Sequence, residues 1–469
     1  MDEKKDFVFG VDGLDALLKG ALLPGTLVVI AGHPGAGKTT LAATMCYANA
    51  VRGKKCLYVS VQEPKEKFMM YMDILGIRLR DLEESGNFRY VKLPQMAEPG
   101  GGFEATEFID HQIADFEPDL VIVDSVTPIL KTLGDDMKAR SMLQEYFSEV
   151  LRRQGGIMVL LSEIPLLDGS MGIGDIEFVA DVILFLKHSI ERNRLVREVE
   201  IRKARGSPIT MARVPFSIER GYGLRVWTPP PLEEIPGRSL ERVYELPCSM
   251  LRDAVGKLYG GMVVYITYPP DARPYQIFPF FLAIMRMNRA RTLVFTYRMS
   301  PEHFYQLLEE YLAELNCGKE ARDIIEQYAI DIIGFNPAAL SVEELYAREL
   351  RIVHERSPEV VIFVGTDMSF PASETYIDLL KNQLLFFKKK GILTFRLGAY
   401  ISDDFYRLNA GLADVVARYF YKKTGPSKKL QRHLYIWGVG KDPVLLDYDD
   451  IEVCAKEIRK AICGGARGG

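Results

Sequence analysis

Gly32–Thr39 reads GHPGAGKT, with Thr26–Ala31 (TLVVIA) before it and Thr39–Val51 (TTLAATMCYANAV) after it. A strand, a complete GxxxxGK[ST] loop and a helix in that order define a phosphate-binding loop. Small residues let the backbone curl so that successive N–H groups point at phosphate oxygens, and the helix N-terminus adds its positive dipole end. Gly32, Pro34, Gly35, Ala36, Gly37, Lys38, Thr39 and Thr40 are the candidate phosphate-binding residues. Lys38 has the reach for the β- and γ-phosphates, and the Thr39 hydroxyl is a candidate magnesium ligand. ATP and Mg2+ are the expected cofactors. A bare glycine-rich turn would need none of this flanking pattern.

Moving outward, Cys56–Val61 (CLYVSV), Leu120–Asp124 (LVIVD), Ile157–Ser162 (IMVLLS) and Val182–Leu186 (VILFL) are short β-rich runs. Thr39–Val51 and Lys138–Arg153 carry apolar residues at helical spacing. Strands alternating with helices describe an α/β fold, a mainly parallel sheet flanked by helices. Gln62 and Glu63 follow the second run, where a carboxylate beside the phosphate loop is positioned to polarise an attacking water. Asp124 closes its run and is the candidate acid of the magnesium shell. Simple helix-starting or capping roles are the plainer readings of Glu63 and Asp124.

The second half repeats the first. Lys38 falls on Arg273 and Glu63 on Arg298 at one offset, PDLVIV (118–123) on PEVVIF (358–363), and Asp181 on Asp414. Between the halves, WTPPPLEEIPGRSLERVYELPC (227–248) has the prolines of a linker. The expected division is therefore 1–228, a Pro-rich linker over 229–247, and 248–469.

Net charge is −4, so no bulk positive field points to nucleic acid or a membrane surface. The first ten residues, MDEKKDFVFG, lack a signal-peptide core, and no apolar run is long enough to span a bilayer. Cys46, Cys56, Cys248, Cys317, Cys454 and Cys463 are scattered, without CxxC pairs or histidines at zinc spacing. Neither a disulfide framework nor a zinc site is expected, and the compartment is read as reducing and cytoplasmic.

Taken together, GVDGLDALLKGALLPGT (10–26), the phosphate loop, SVQEP (60–64), IVDSV (122–126), SEIPLL (162–167), EFVADVILFL (177–186) and KARGSP (203–208) resemble KaiC-type ATPases of the RecA superfamily. The resemblance covers the first half in order and implies two tandem RecA-like domains. It also implies a ring homo-oligomer, commonly a hexamer, with ATP between neighbouring domains. Gly35–Thr40 would bind phosphates and Asp124 would serve magnesium, while Glu63 matches the second of a pair of catalytic glutamates. Gln62 replaces the first, which implies slow hydrolysis. Lys203 and Arg205 match a Lys-x-Arg-Gly segment that reaches a neighbour's γ-phosphate, an arginine-finger role. A solvated basic strand is their plainer reading.

The second half departs from the pattern. YPPDARPY (268–275) replaces glycines with prolines that lack N–H donors, and Pro274 stands where a hydroxyl is needed. Arg298 replaces the glutamate, Val364 replaces the aspartate (with Asp367 nearby), and IWGVGK lacks the basic match. This half is expected not to hydrolyse ATP. Leu408–Ala413 (LNAGLA) lacks hydroxyls to phosphorylate, so autokinase activity is disfavoured. The loop LDGSMGIGD (167–175) and the basic residues Lys187, His188, Arg192, Arg194 and Arg197 keep single-stranded nucleic acid open as a less favoured partner, since the loop has no aromatic residue for stacking. The expectation is a nucleotide-driven regulatory switch that hydrolyses Mg-ATP slowly and has a protein partner. A DNA-dependent recombinase- or helicase-like ATPase and a non-hydrolysing ATP-binding scaffold are the alternatives.

Overall fold

A computed structural model describes residues 6–94, 101–131, 146, 155–163, 179–191, 194–209, 212–226, 234–237, 241–271, 277–314, 318–369, 374–424 and 429–463. The chain divides into two compact units, Met1–Thr228 and Pro229–Gly469. The loop 167–175, the position 192 and the heart of the second half's substituted phosphate loop, 272–275, lie outside the described residues.

The first unit contains β1 (Leu27–Gly32), β2 (Cys56–Ser60), β3 (Phe88–Lys92), β4 (Leu120–Asp124), β5 (Ile157–Glu163), β6 (Val182–Glu191), β7 (Arg194–Ala204), β8 (Arg213–Glu219) and β9 (Gly223–Val226). Its helices are α1 (Asp12–Leu17), α2 (Lys38–Val51), α3 (Lys65–Ile74), α4 (Leu79–Glu84), α5 (Gly101–Phe116) and α6 (Val126–Lys131). One sheet runs in the order β3-β2-β4-β5-β1-β6-β7-β8-β9. It is parallel from β3 to β6 and antiparallel beyond. The central strands are apolar on both faces because both faces are covered. Val28 and Ile30 of β1 pack with Leu41 and Met45 of α2, while Leu27 and Val29 pack with Ile109 and Ile113 of α5. Truncating Ile30 to Ala would cost about 2–5 kcal/mol, since no space beside it is open to water.

The second unit contains a two-stranded pair, β10 (Val243–Tyr244) with β11 (Leu258–Tyr259), and a second large sheet. That sheet is built from β12 (Val263–Tyr268), β13 (Thr292–Thr296), β14 (Ala329–Gly334), β15 (Val360–Val364), β16 (Leu393–Ala399), β17 (Val415–Thr424), β18 (Lys429–Gly438) and β19 (Val444–Leu446). Its order, β14-β13-β15-β16-β12-β17-β18-β19, reproduces that of the first sheet strand for strand, one edge strand short. The equivalences extend to single side chains. Asp181 Oδ2 accepts from the Leu27 N–H at the foot of β1, and Asp414 Oδ2 accepts from Val263 at the foot of β12. Asp119 Oδ2 accepts from Lys55 N–H, and Glu359 Oε2 accepts from Arg291 N–H. The chain therefore holds two RecA-like α/β units. Within the stretch 229–247, Tyr244 and Leu246 are buried in the second unit's core, and β10 pairs Tyr244 with Leu258.

One expectation fails here. Cys248 and Cys454 form a disulfide, with Cα atoms 5.2 Å apart, joining the helix Ser249–Val255 to the helix Tyr448–Cys463. A separation of 206 residues hid this contact from the spacing. The scattered cysteines are thus no ground for a reducing compartment, because disulfides belong mainly to oxidising compartments and to proteins of hyperthermophiles. Cys46 and Cys56 remain free thiols, both buried in the first unit. Among the described residues, no helix is long and apolar enough to cross a membrane.

Candidate nucleotide site of the first unit

The loop between β1 and α2 lies at the C-terminal edge of the parallel strands, where open α/β sheets bind ligands. Gly32 is dictated by crowding: a Cβ there would stand 2.1 Å from the Leu186 carbonyl oxygen of β6. Gly35, at φ +74°, turns the loop in a conformation that L side chains avoid, and a Cβ there would meet nothing within 4 Å. Lys38 Nζ reaches back into this curl and donates to the carbonyls of Gly32 at 2.9 Å and His33 at 3.0 Å. Burial lowers its pKa, opposed by the nearby carboxylates of Glu163 and Asp124.

Thr39 Oγ1 donates to Asp124 Oδ2 at 2.8 Å, so the first turn of α2 and the end of β4 share one oxygen cluster. A hydroxyl and a carboxylate side by side suit a hard, oxygen-seeking dication such as Mg2+. Burial raises the Asp124 pKa, and hydrogen bonds from Tyr58 and Thr39 together with the Lys38 charge oppose the rise. The Tyr58 hydroxyl, on β2, donates to the same Oδ2 at 2.6 Å. Tyr58 stacks with Tyr90 and packs against Phe68, and the Tyr90 hydroxyl donates to the main-chain oxygen of Glu63 at 2.7 Å. Rigid aromatic rings thus connect the acid on β4 with the segment that follows β2.

Glu63 is half-buried beside that edge, its N–H donating to Ser60 Oγ at 3.1 Å and its carboxylate 3.6 Å from Lys67 Nζ. Gln62 is exposed. Lys203 and Arg205 do not join the loop of their own chain. Lys203 pairs with Ile183, three residues down β6 from Leu186, which at ~3.3 Å per residue is about 10 Å below the loop. Arg205 is exposed and bound to Asp181 Oδ1 at 3.0 Å. Two residues of the site escaped the sequence reading, Tyr58 and Glu163. Glu163 ends β5 opposite Gly32, and a charged residue closing an apolar run was the same signal that singled out Asp124. Tyr58 had a weaker signal, a hydroxyl inside a buried strand that must find a partner.

Among its described residues, the second unit lacks the constellation. Arg298, two residues past β13, donates to Asp367 Oδ2 at 2.5 Å, and Asp367 Oδ1 accepts from Ala399 N–H at 2.9 Å. Its acid is spent on an internal ion pair.

Fold and loop together define a phosphate-loop nucleotide-binding protein of the RecA-like class. Residues 8–230 match the family model described as ATPase: KaiC. The first unit carries the KaiC-type ATPase domain that this model describes. The circadian clock protein KaiC3 of Synechocystis sp. is 26% identical over 225 residues, 46% of this chain and 44% of that protein. The circadian clock oscillator protein KaiC of Thermosynechococcus vestitus is 25% identical over 224 residues, covering 46% and 43%. A UPF0273 protein of Methanopyrus kandleri is 26% identical over 234 residues, covering 46% of this chain and 90% of its own length. The match thus spans under half the length of the two KaiC proteins and nine-tenths of the UPF0273 protein.

Proposed function

We propose that the first unit binds Mg-ATP and hydrolyses it slowly, and that the chain is a nucleotide-driven regulatory switch. The carrying observation is the convergence of Lys38, Thr39 and Asp124 at one strand edge, with Glu63 beside it. The loop amides and Lys38 hold the phosphates, Thr39 and Asp124 hold magnesium, which supplies charge neutralisation at the phosphoryl group, and Glu63 draws the proton from the attacking water. Gln62 orients that water but is a poor base, hence the slow rate.

Lys203 and Arg205, remote from the loop of their own chain, act on the γ-phosphate of a neighbouring copy in a ring homo-oligomer, taken as a hexamer. The second unit serves assembly or docks a protein partner, and the chain lacks autokinase activity. Steady-state Mg-ATP hydrolysis across protein concentration, with Lys203→Ala and Arg205→Ala, tests this reading. Specific activity that rises with concentration, and is lost in both variants while ATP still binds, supports it. Bound ATP without turnover at any concentration would identify a nucleotide-gated scaffold instead.

A further inference from the structure

Beside the phosphate loop, on the side away from Asp124, three nitrogen-bearing side chains meet without an acid. His33, the second residue of the loop, places its ring 5.7 Å from that of His188 on β6. His188 stands directly opposite Arg197 on β7, and Arg197 opposite Phe216 on β8, so the three share one face of the sheet. That row abuts the loop itself, since a Cβ on Gly37 would lie 3.6 Å from the Phe216 ring.

His33 Nδ1, His188 Nδ1 and Arg197 Nε are each sealed from water with no hydrogen-bond partner, while the side chains as a whole are only half-buried. Burial and the like charges of His188, Lys187 and Lys38 lower the His33 pKa, and burial lowers that of Arg197. Glu200, on the other face of β7, is shared among Lys187, Arg202 and Arg213. Among the described residues, no carboxylate pairs with His33, His188 or Arg197. Buried nitrogens without hydrogen-bond partners, next to the fixed charge of Arg197 and beside a phosphate loop, describe a place for an anion.

We infer that His33, His188 and Arg197 form a phosphate-oxyanion site on the β6–β7 flank of the loop. The oxyanion is either a phosphate of the bound nucleotide, in which case the inference rests on the ATP-binding reading above, or a separate phosphate held alongside it.

The test titrates inorganic phosphate by calorimetry into the full chain saturated with Mg-ADP, and ATP into the nucleotide-free chain. Wild type is compared with Arg197→Gln, His188→Gln and Arg197→Lys. Phosphate bound alongside ADP, and weakened tenfold or more in Arg197→Gln, establishes the separate site. If no second phosphate binds but ATP affinity falls tenfold or more in Arg197→Gln and recovers in Arg197→Lys, the site serves the nucleotide's own phosphates. Titrations unchanged in Arg197→Gln and His188→Gln overturn the inference. Should Arg197→Gln not fold, His188→Gln carries the same comparison. Lys38→Ala separates the two readings: ATP binding that survives it overturns the loop's assigned role, while the phosphate titration still reports on the flank.

Discussion

At the C-terminal edges of the two sheets, equivalent strands lead into opposite chemistry. After β2 stands Glu63, and after β13 stands Arg298; β4 ends on Asp124, and β15 on Val364. In the first unit the carboxylate faces hydroxyls, Thr39 and Tyr58, which orient it and leave it free to meet a cation. In the second, Asp367 is pinned by Arg298 and by a backbone N–H. The scaffolds agree down to Asp181 and Asp414, so the difference teaches that a sheet order survives independently of the site built on it.

Breaking the comparison begins with Lys38→Ala, expected to lower ATP turnover by about 100-fold or more, as expected for losing a charge that meets the transferring phosphoryl group. Arg298→Glu in the second unit should leave that turnover unchanged; a loss there would show that both edges contribute. Glu63→Gln should lower kcat by about 100-fold, the scale of a lost general base, with ATP affinity kept. Gln62→Glu should raise kcat several-fold, and a fall would remove the explanation offered for slow turnover.

Stability sharpens the same contrast. Cys454→Ser opens the Cys248–Cys454 link and is expected to cost the second unit about 2–5 kcal/mol, read as a lower melting temperature with turnover retained. A comparable effect comes from Glu349, fully buried beneath the second sheet, which accepts from the Tyr297 hydroxyl and, at 2.6 Å, from Gln383 Nε2. Burial outweighs these donors and the Arg396 charge, and lifts its pKa to about 7. A raised carboxyl pKa means the folded state holds the proton that the unfolded chain releases. Stability is therefore greatest below the unfolded value near 4.5 and declines as pH rises towards 7, by on the order of 3 kcal/mol. Glu349→Gln should flatten that slope in thermal melts of the full chain between pH 4.5 and 7.5. The smallest effect expected is for Tyr58→Phe, which removes one donor to Asp124 and should raise the Mg2+ concentration needed for half-maximal turnover by about fivefold.

Much of this protein was legible because local chemistry enforces it. GHPGAGKT admits few backbones: Gly32 lies against the Leu186 carbonyl where no Cβ fits, and Lys38 and Thr39 follow at fixed spacing. The double-faced apolar runs announced buried parallel strands, and acids at strand ends announced an edge with chemistry. The losses in the second half were also visible, since a proline cannot donate and an arginine cannot act as a carboxylate.

What the tertiary structure alone decided is which distant residues meet. The apposition of Cys248 and Cys454 depends on how the terminal helix docks, and cysteine spacing carries no trace of it. Tyr58 becomes a partner of Asp124 only because β2 and β4 are neighbours in the sheet, with Ser60 aligned to Asp124. The β6–β7 register sets His188 and Arg197 side by side, and His33, just past β1, meets His188. A sequence specifies periodicity and local geometry, whereas contacts between remote segments follow from packing, in which each pair depends on every element lying between them.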